Sequence, residues 1–275
     1  LNLPYLVPRA VRHFMPEGLT RFLLLHSIII RPGLETSAPR DAVDRYLEVL
    51  KSRRESLNGK RILVFGYGGR FDVGLAIMEA GAKHVVLCDK YAPPDDSHNA
   101  ALLQKYPAHL FLDDGRPRPR PEHMTLLLAD IREVHPSADL PPFDVVVSSS
   151  VYEHLDDVDG ITNALAALTK PDGLHIHYVD LRDHFFKYPF EMLSYSENVW
   201  RGWLNPTSNH NRFRLWDYRR VFEKYFNNVK IEVLERDEAA FEKARPRIRP
   251  EFISGNLQDD SVTLILVVAS EPRSA

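Results

Sequence analysis

The stretch ILVFGYGGRFDVGLAIMEAGAKHVVLCDKY, starting at Ile62, constrains the fold more than any other. An apolar run, a glycine turn, a helical segment, a second apolar run and an aspartate follow one another without a break. Both runs are apolar at successive rather than alternate positions, so each strand needs cover on both faces, as in a parallel sheet. The rhythm continues downstream. Strands are expected at 61–65, 84–88, 125–129, 143–148 and 174–179, with helices at 71–80, 97–106 and 158–169. Lys-Pro-Asp-Gly at 170–173 is a stop signal between the last of these helices and the strand after it. A helix at 216–226 and strands at 229–235 and 262–269 complete the pattern. Strands alternating with helices in this way imply a doubly wound α/β sheet.

Two regions depart from the rhythm. Residues 1–57 contain two helical stretches, PEGLTRFLLLHSIII and SAPRDAVDRYLEVLKSRRESL, which suggest an N-terminal helical cap. Residues 181–215 are dense in aromatics, histidine and asparagine. They follow the fifth expected strand, at the carboxyl edge of the sheet, where ligands bind in this architecture. A loop of that length within a domain usually carries function.

Bulk properties exclude some classes. A net charge of −3 argues against a nucleic-acid partner. Two basic patches, GRPRPRP at 115–121 and RPRIRP at 245–250, alternate proline with arginine and suggest extended solvated loops. No apolar run reaches the ~18 residues of a membrane span. The nearest, RFLLLHSIII from Arg21, is short, contains His26 and lacks a small-residue cleavage site, so no signal peptide is expected. The single cysteine, Cys88, fits a reducing compartment and a cytoplasmic protein, and its apolar surroundings suggest a small buried hydrophobe.

The glycine turn is the first chemical signal. Gly66 and Gly68 stand between a strand and a helix, where bare backbone and a helix N-terminus can meet an anionic or polar ligand. Phe71 breaks the GxGxxG pattern of dinucleotide folds. Asp89 ends the second strand, where a carboxylate can accept bonds from ribose hydroxyls. Asp130, followed by apolar Ile131, ends the third main strand. After the fourth, FDVVVSSSVYEHL opens into Ser148, Ser149 and Ser150, then Tyr152, Glu153 and His154.

Taken together, these motifs resemble the class I S-adenosylmethionine-dependent methyltransferases, in particular the broad group acting on small molecules. The likeness covers about residues 58–180. It implies a Rossmann-like sheet, mostly parallel with an antiparallel final strand, forming a domain at 58–275 with a substrate-side insertion at 181–215. It implies S-adenosyl-L-methionine as cofactor, held by Gly66, Tyr67, Gly68, Arg70, Asp89, Lys90, Asp130, Ile131, Ser148 and Ser149. The partner is then a small-molecule acceptor. Two positions depart from the family pattern: Val64 stands where an acid is usual, and Arg70 where a third glycine is frequent. Arg70 can pair with the cofactor's carboxylate.

Methyl transfer depends mainly on aligning donor and acceptor. A base helps when the acceptor is a hydroxyl, and His154 is the candidate. His177 and His184 are further candidates. The insertion offers Tyr195, Trp200, Trp203, Phe185 and Phe186 as pocket walls, and Asn209, Asn211, Arg212 and Arg214 as polar contacts. The segment NRFRLWD resembles short stretches of methyltransferases linked to cell-surface glycans, which points to a hydroxyl of a sugar or another small polar metabolite. HIHYVDLRDH has no diagnostic ligand spacing, and no metal is expected. The rival reading is a non-catalytic S-adenosylmethionine-binding or scaffolding protein, with Val64 and Arg70 as its support.

Overall fold

The computed structural model describes residues 2–14, 38–138, 140–184, 187–205 and 210–273. Their strands are β1 (Arg61–Phe65), β2 (His84–Cys88), β3 (Leu110–Asp113), β4 (Arg116–Pro119), β5 (Met124–Leu127), β6 (Phe143–Ser149), β7 (Thr169–Asp180), β8 (Phe226–Arg236) and β9 (Val262–Pro272). Seven of them form one sheet in the order β5-β2-β1-β6-β7-β9-β8. The pairs from β5 through β7 are all parallel, and β9 runs antiparallel to both β7 and β8. The expected doubly wound sheet with an antiparallel final strand is therefore present. Strand order reverses direction between β1 and β6, which opens a crevice at their carboxyl ends.

Successive residues of each central strand feed opposite faces. Ile62, Val64, Val85 and Leu87 pack toward the helix α2 (Pro39–Ser52) and toward α3 (Asp72–Glu79). Leu63, Phe65, Val86 and Cys88 pack toward α5 (Val158–Ala167) and α6 (Leu215–Tyr225). The second expected N-terminal helix is thus part of the main core: Pro39 opens it without losing an intrahelical bond, and Val43, Tyr46 and Leu50 are buried. Helix α1 (Leu3–His13) docks elsewhere. Its Tyr5 stacks on Tyr195, and Arg9 ion-pairs with Asp183 and donates to the Leu204 carbonyl. A third apolar cluster joins Phe190, Met192, Trp200 and Leu204 to Phe241 of α7 (Glu238–Ala244). The expected helix over 16–30 lies outside the described residues.

Several local expectations are corrected. The helix expected over 97–106 is a short one, α4 (Asp96–Ala100), after which hydrogen bonds shorten to three-residue spacing, from Ala101 to His98 and from Leu102 to Asn99. The 115–121 patch is no solvated loop. Asp114 and Gly115 have positive φ of 47° and 73°, the geometry of a tight hairpin turn, and β4 pairs antiparallel with β3. Pro117 and Pro119 are buried, and Arg118 pairs with Asp96 at 2.6 Å. In the second patch Arg247 pairs with buried Glu191 at 2.9 Å. Strand β7 starts at Thr169, absorbing Lys170–Gly173 through a register irregularity opposite Phe143 and Val145. Cys88 is fully buried, and burial pushes its thiol up to about 12. Among the described residues no helix is long and apolar enough to cross a membrane.

Candidate functional site

The turn after β1 is built by backbone conformation. Gly66, Gly68 and Gly69 all have positive φ, and a Cβ on Gly66 would overlap the Val151 side chain. Only glycine fits there. Asn99, fully buried, clamps the turn: its amide donates to the Gly69 carbonyl at 2.9 Å and its oxygen accepts from the Phe71 N–H at 3.0 Å. Nothing in the sequence marks Asn99 for this task, because the clamp spans thirty residues.

Beside the turn, Asp89 accepts from the backbone N–H groups of Gly68 (3.2 Å), Tyr91 (2.8 Å) and Ala92 (2.8 Å). A carboxylate offers about four lone-pair sites, so about one remains for a ligand. Asp130 is more heavily engaged. It accepts from Lys90 Nζ at 2.9 Å, from the Arg132 backbone at 3.0 Å, and from the Arg132 guanidinium at 3.0 and 2.6 Å. The Arg132 guanidinium, helped by Lys90, holds the Asp130 carboxyl well below its usual range.

These strand ends surround a cavity of about 240 Å³ whose walls include Gly66, Asp89, Lys90, Asp130, Ile131 and His154. Tyr91, Ser150 and Val151 line it as well. Ser150 has a φ of 56°, a left-handed conformation at the point where the chain leaves β6. Ser148 and Ser149 are not in this lining: Ser148 is fully buried and bonded to His177 at 2.8 Å. Tyr67 is also absent from it, packed in the core with its hydroxyl buried. Gly68 reaches the cavity only through its bond to Asp89. Arg70 lies outside the lining, 3.5 Å from Asp95. Val64 is fully buried between Leu87 and Val147 in the sheet.

A second cavity, of about 410 Å³, adjoins the first and shares Leu155 and Asp156 with it. Trp200, Asn211, Arg212 and His210 line it. The guanidinium of Arg212 is engaged by Glu197 and the Met192 and Tyr195 carbonyls. Arg214, fully buried, bonds the carbonyls of Leu181, Asp260 and Val262, which makes it a structural tie. Trp203 is exposed and stacks on His13. Phe185, Phe186 and Asn209 lie outside the described residues.

Between the two cavities stands a cluster of imidazoles. His154 and His184 have ring centroids 4.6 Å apart, and His210 lies 4.7 Å from His184 and 5.5 Å from His154. Asn211 fastens this corner, its side-chain amide donating to the carbonyls of Tyr152 (2.7 Å) and Leu155 (3.2 Å). Burial, reinforced by the neighbouring imidazoles, pulls the His210 pKa well down. By contrast His175 and His177 form one bonded row, from Thr169 through both rings to Ser148, which occupies all four ring nitrogens.

The donor set around the first cavity suits an adenosyl ligand. It combines bare left-handed backbone, one carboxylate with spare acceptor capacity at a strand end, and buried apolar Ile131 beside Asp130.

Comparison with known proteins agrees with this geometry. Residues 35–236 match the family model for a methyltransferase domain. No curated protein matches the sequence. Among solved structures, the chain is similar to phosphoethanolamine N-methyltransferase 2 of Haemonchus contortus in complex with phosphomonomethylethanolamine and S-adenosylhomocysteine. The identity is 18%, over 84% of this chain and 53% of that one, with a TM-score of 0.50. The chain thus spans about half the length of that enzyme. It is also similar to the 1,6-didemethyltoxoflavin-N1-methyltransferase of Burkholderia thailandensis with bound 1,6-didemethyltoxoflavin and S-adenosylhomocysteine, at 14% identity over 94% and 87% of the two chains and a TM-score of 0.51. At these identities the shared property is the fold.

Proposed function

The chain belongs to the methyltransferase-domain family, among the S-adenosylmethionine-dependent methyltransferases of class I, and from that premise we propose that it methylates a hydroxyl group of a small polar acceptor. One observation carries the reading: the glycine turn, Asp89, and Asp130 with Ile131 converge on a single cavity whose remaining wall presents His154. The adjoining second cavity supplies room for an acceptor next to the donor.

S-adenosylmethionine, when bound, supplies a methyl group already activated on a sulfonium. The chain's residues then have three tasks. The Gly66–Gly69 turn and Asp89 hold the donor, with Asp89 offering its remaining acceptor site to a ribose hydroxyl. Ile131 packs on the adenine ring. An adenine amino group at Asp130 takes the place of Lys90, whose side chain is 41% exposed and free to swing away. Val64 leaves no carboxylate at the end of β1, so the methionine amino group has backbone carbonyls as its partners. Arg70, Tyr67, Ser148 and Ser149 support the turn and the strand end from behind the cavity. His154 stands on the acceptor side, where a hydroxyl must lose its proton as its oxygen bonds to the methyl carbon and the carbon–sulfur bond breaks. The N-terminal helix packs on one wall of this space, where Arg9 lies over the Trp200 ring and pairs with Asp183.

The test is transfer of isotopically labelled methyl to a panel of sugars, other polyols and amines. Label on a hydroxyl supports the proposal, and label only on nitrogen overturns it. The second reading, a donor-binding protein without turnover, has its own support in the four N–H donors that already occupy Asp130. Donor binding with no transfer to any acceptor would favour it.

A further inference from the structure

Two buried groups near the imidazole cluster have no hydrogen-bond partner among the described residues. Glu153 is 1% exposed, and neither of its carboxylate oxygens is bonded. His210 is 4% exposed, and neither of its ring nitrogens is bonded. Buried polar side chains are nearly always paired, so an unpaired carboxyl and an unpaired imidazole in one region need a cause. The cause is visible in what surrounds them. Glu153, His154 and His184 direct one ligand atom each into a common space, and these atoms all lie within 4.8 Å of one another. They come from two separate parts of the chain, the turn after β6 and the segment after β7. The His210 ring lies next to both imidazoles, with centroids 5.5 Å from His154 and 4.7 Å from His184.

We propose that Glu153, His154 and His184 bind a divalent transition-metal cation of the zinc type, with a fourth coordination position open toward the two cavities and His210 beside it. One carboxylate and two imidazoles form a ligand set such ions favour, and three protein ligands with an open position is the arrangement of a reactive rather than a structural site. Metal–ligand bonds of about 2.0–2.1 Å put tetrahedral ligand atoms about 3.3 Å apart. The group therefore contracts by at most about 1.5 Å on binding. The row formed by His175 and His177 is already closed, with a neighbour at every ring nitrogen.

The inference rests on the proposed function only for where the acceptor lies. A cation held by these three ligands would take an acceptor oxygen at its open position, beside the donor cavity, and lower the pKa of that hydroxyl. The proton then leaves to water, and His154 serves as a ligand rather than as the base.

The test is direct titration of chelator-treated protein with Zn²⁺ against a chromophoric competitor, and with Co²⁺ followed by visible absorption. One equivalent should bind, and Co²⁺ should give the intense bands of a four-coordinate site. Glu153→Gln and His184→Ala should each weaken binding by about a hundredfold or more, beyond the 10–100-fold typical of outer-sphere changes. Exposed His135→Ala should bind as the parent does. No stoichiometric binding, or equal affinity in the parent and the folded variants, overturns the site. If one variant does not fold, the other decides. Titration of the same samples with S-adenosylmethionine separates the two readings: donor binding without Zn²⁺ binding removes the metal site alone, and Zn²⁺ binding without donor binding removes the methyl-donor cavity alone.

Discussion

Two groups of histidines lie close together in this fold and are treated in opposite ways. His175 and His177, in β7, are fully buried, and burial drives the His175 pKa down to about 3. Their nitrogens are bonded from Thr169 to Ser148, so they form a polar spine inside an apolar sheet. At the mouth of the crevice, His210 and Glu153 are just as buried but unbonded among the described residues. Burial by itself therefore does not mark a functional histidine. The informative property is whether the buried polar atoms are already satisfied. In the sheet they are, and the network is closed. At the mouth the Glu153 carboxyl oxygens and the His210 ring nitrogens are not bonded among the described residues.

The comparison can be broken most forcefully in the sheet. His177→Ala removes the middle of the spine, leaving Ser148 Oγ and His175 Nδ1 unpaired beside a new void. It should cost about 2–4 kcal/mol of stability, read from the denaturation midpoint, with donor affinity unchanged in the folded fraction. A loss under about 1 kcal/mol would mean that the spine is not structural. Next in size is Gly66→Ala. Its Cβ would collide with Val151 at a positive φ, and it should cost about 1–3 kcal/mol while also lowering donor affinity. A variant with parental stability and affinity would show that the turn is not closely packed. Lys90→Ala sharpens the picture of the cavity itself. If the adenine amino group displaces Lys90 from Asp130, removing the lysine should leave donor affinity within about threefold of the parent, or raise it, as expected for an exposed ion pair. A large loss would instead make Lys90 a direct donor contact. The smallest effect is at Cys88: with its thiol pushed up to about 12 and no exposure, it should resist alkylation at pH 8 in the native state and react only on unfolding.

The two regions also differ in how far they can be read from sequence. Strands β1, β2 and β6 are legible because a strand covered on both faces must be apolar at every position. The Gly66 turn and Asp89 follow from their place at strand ends. The β3–β4 hairpin carried a usable signal, Asp114-Gly115, which the proline–arginine alternation obscured. At the mouth, Glu153 and His154 stand out by motif, but His184 and His210 reach them through an irregular segment without periodicity. Their meeting depends on contacts such as Asn211 with Tyr152 and Leu155, and no local pattern encodes those. The engagement of Asp130 by Arg132 and Lys90 is partly local: Arg132 is two residues away, while Lys90 arrives from the neighbouring strand end.

The central claim is that the cavity at the ends of β1, β2 and β5 holds S-adenosylmethionine through Asp89. The most direct measurement is calorimetric titration of the parent protein and of Asp89→Ala with S-adenosylmethionine and S-adenosylhomocysteine, with NAD as control. The account predicts micromolar binding of the first two, none of NAD, and a loss of tenfold or more in the variant, equivalent to about 1.5–3 kcal/mol for a charge-assisted bond. Absence of binding to the parent, or unchanged affinity in a folded Asp89→Ala protein, would contradict it.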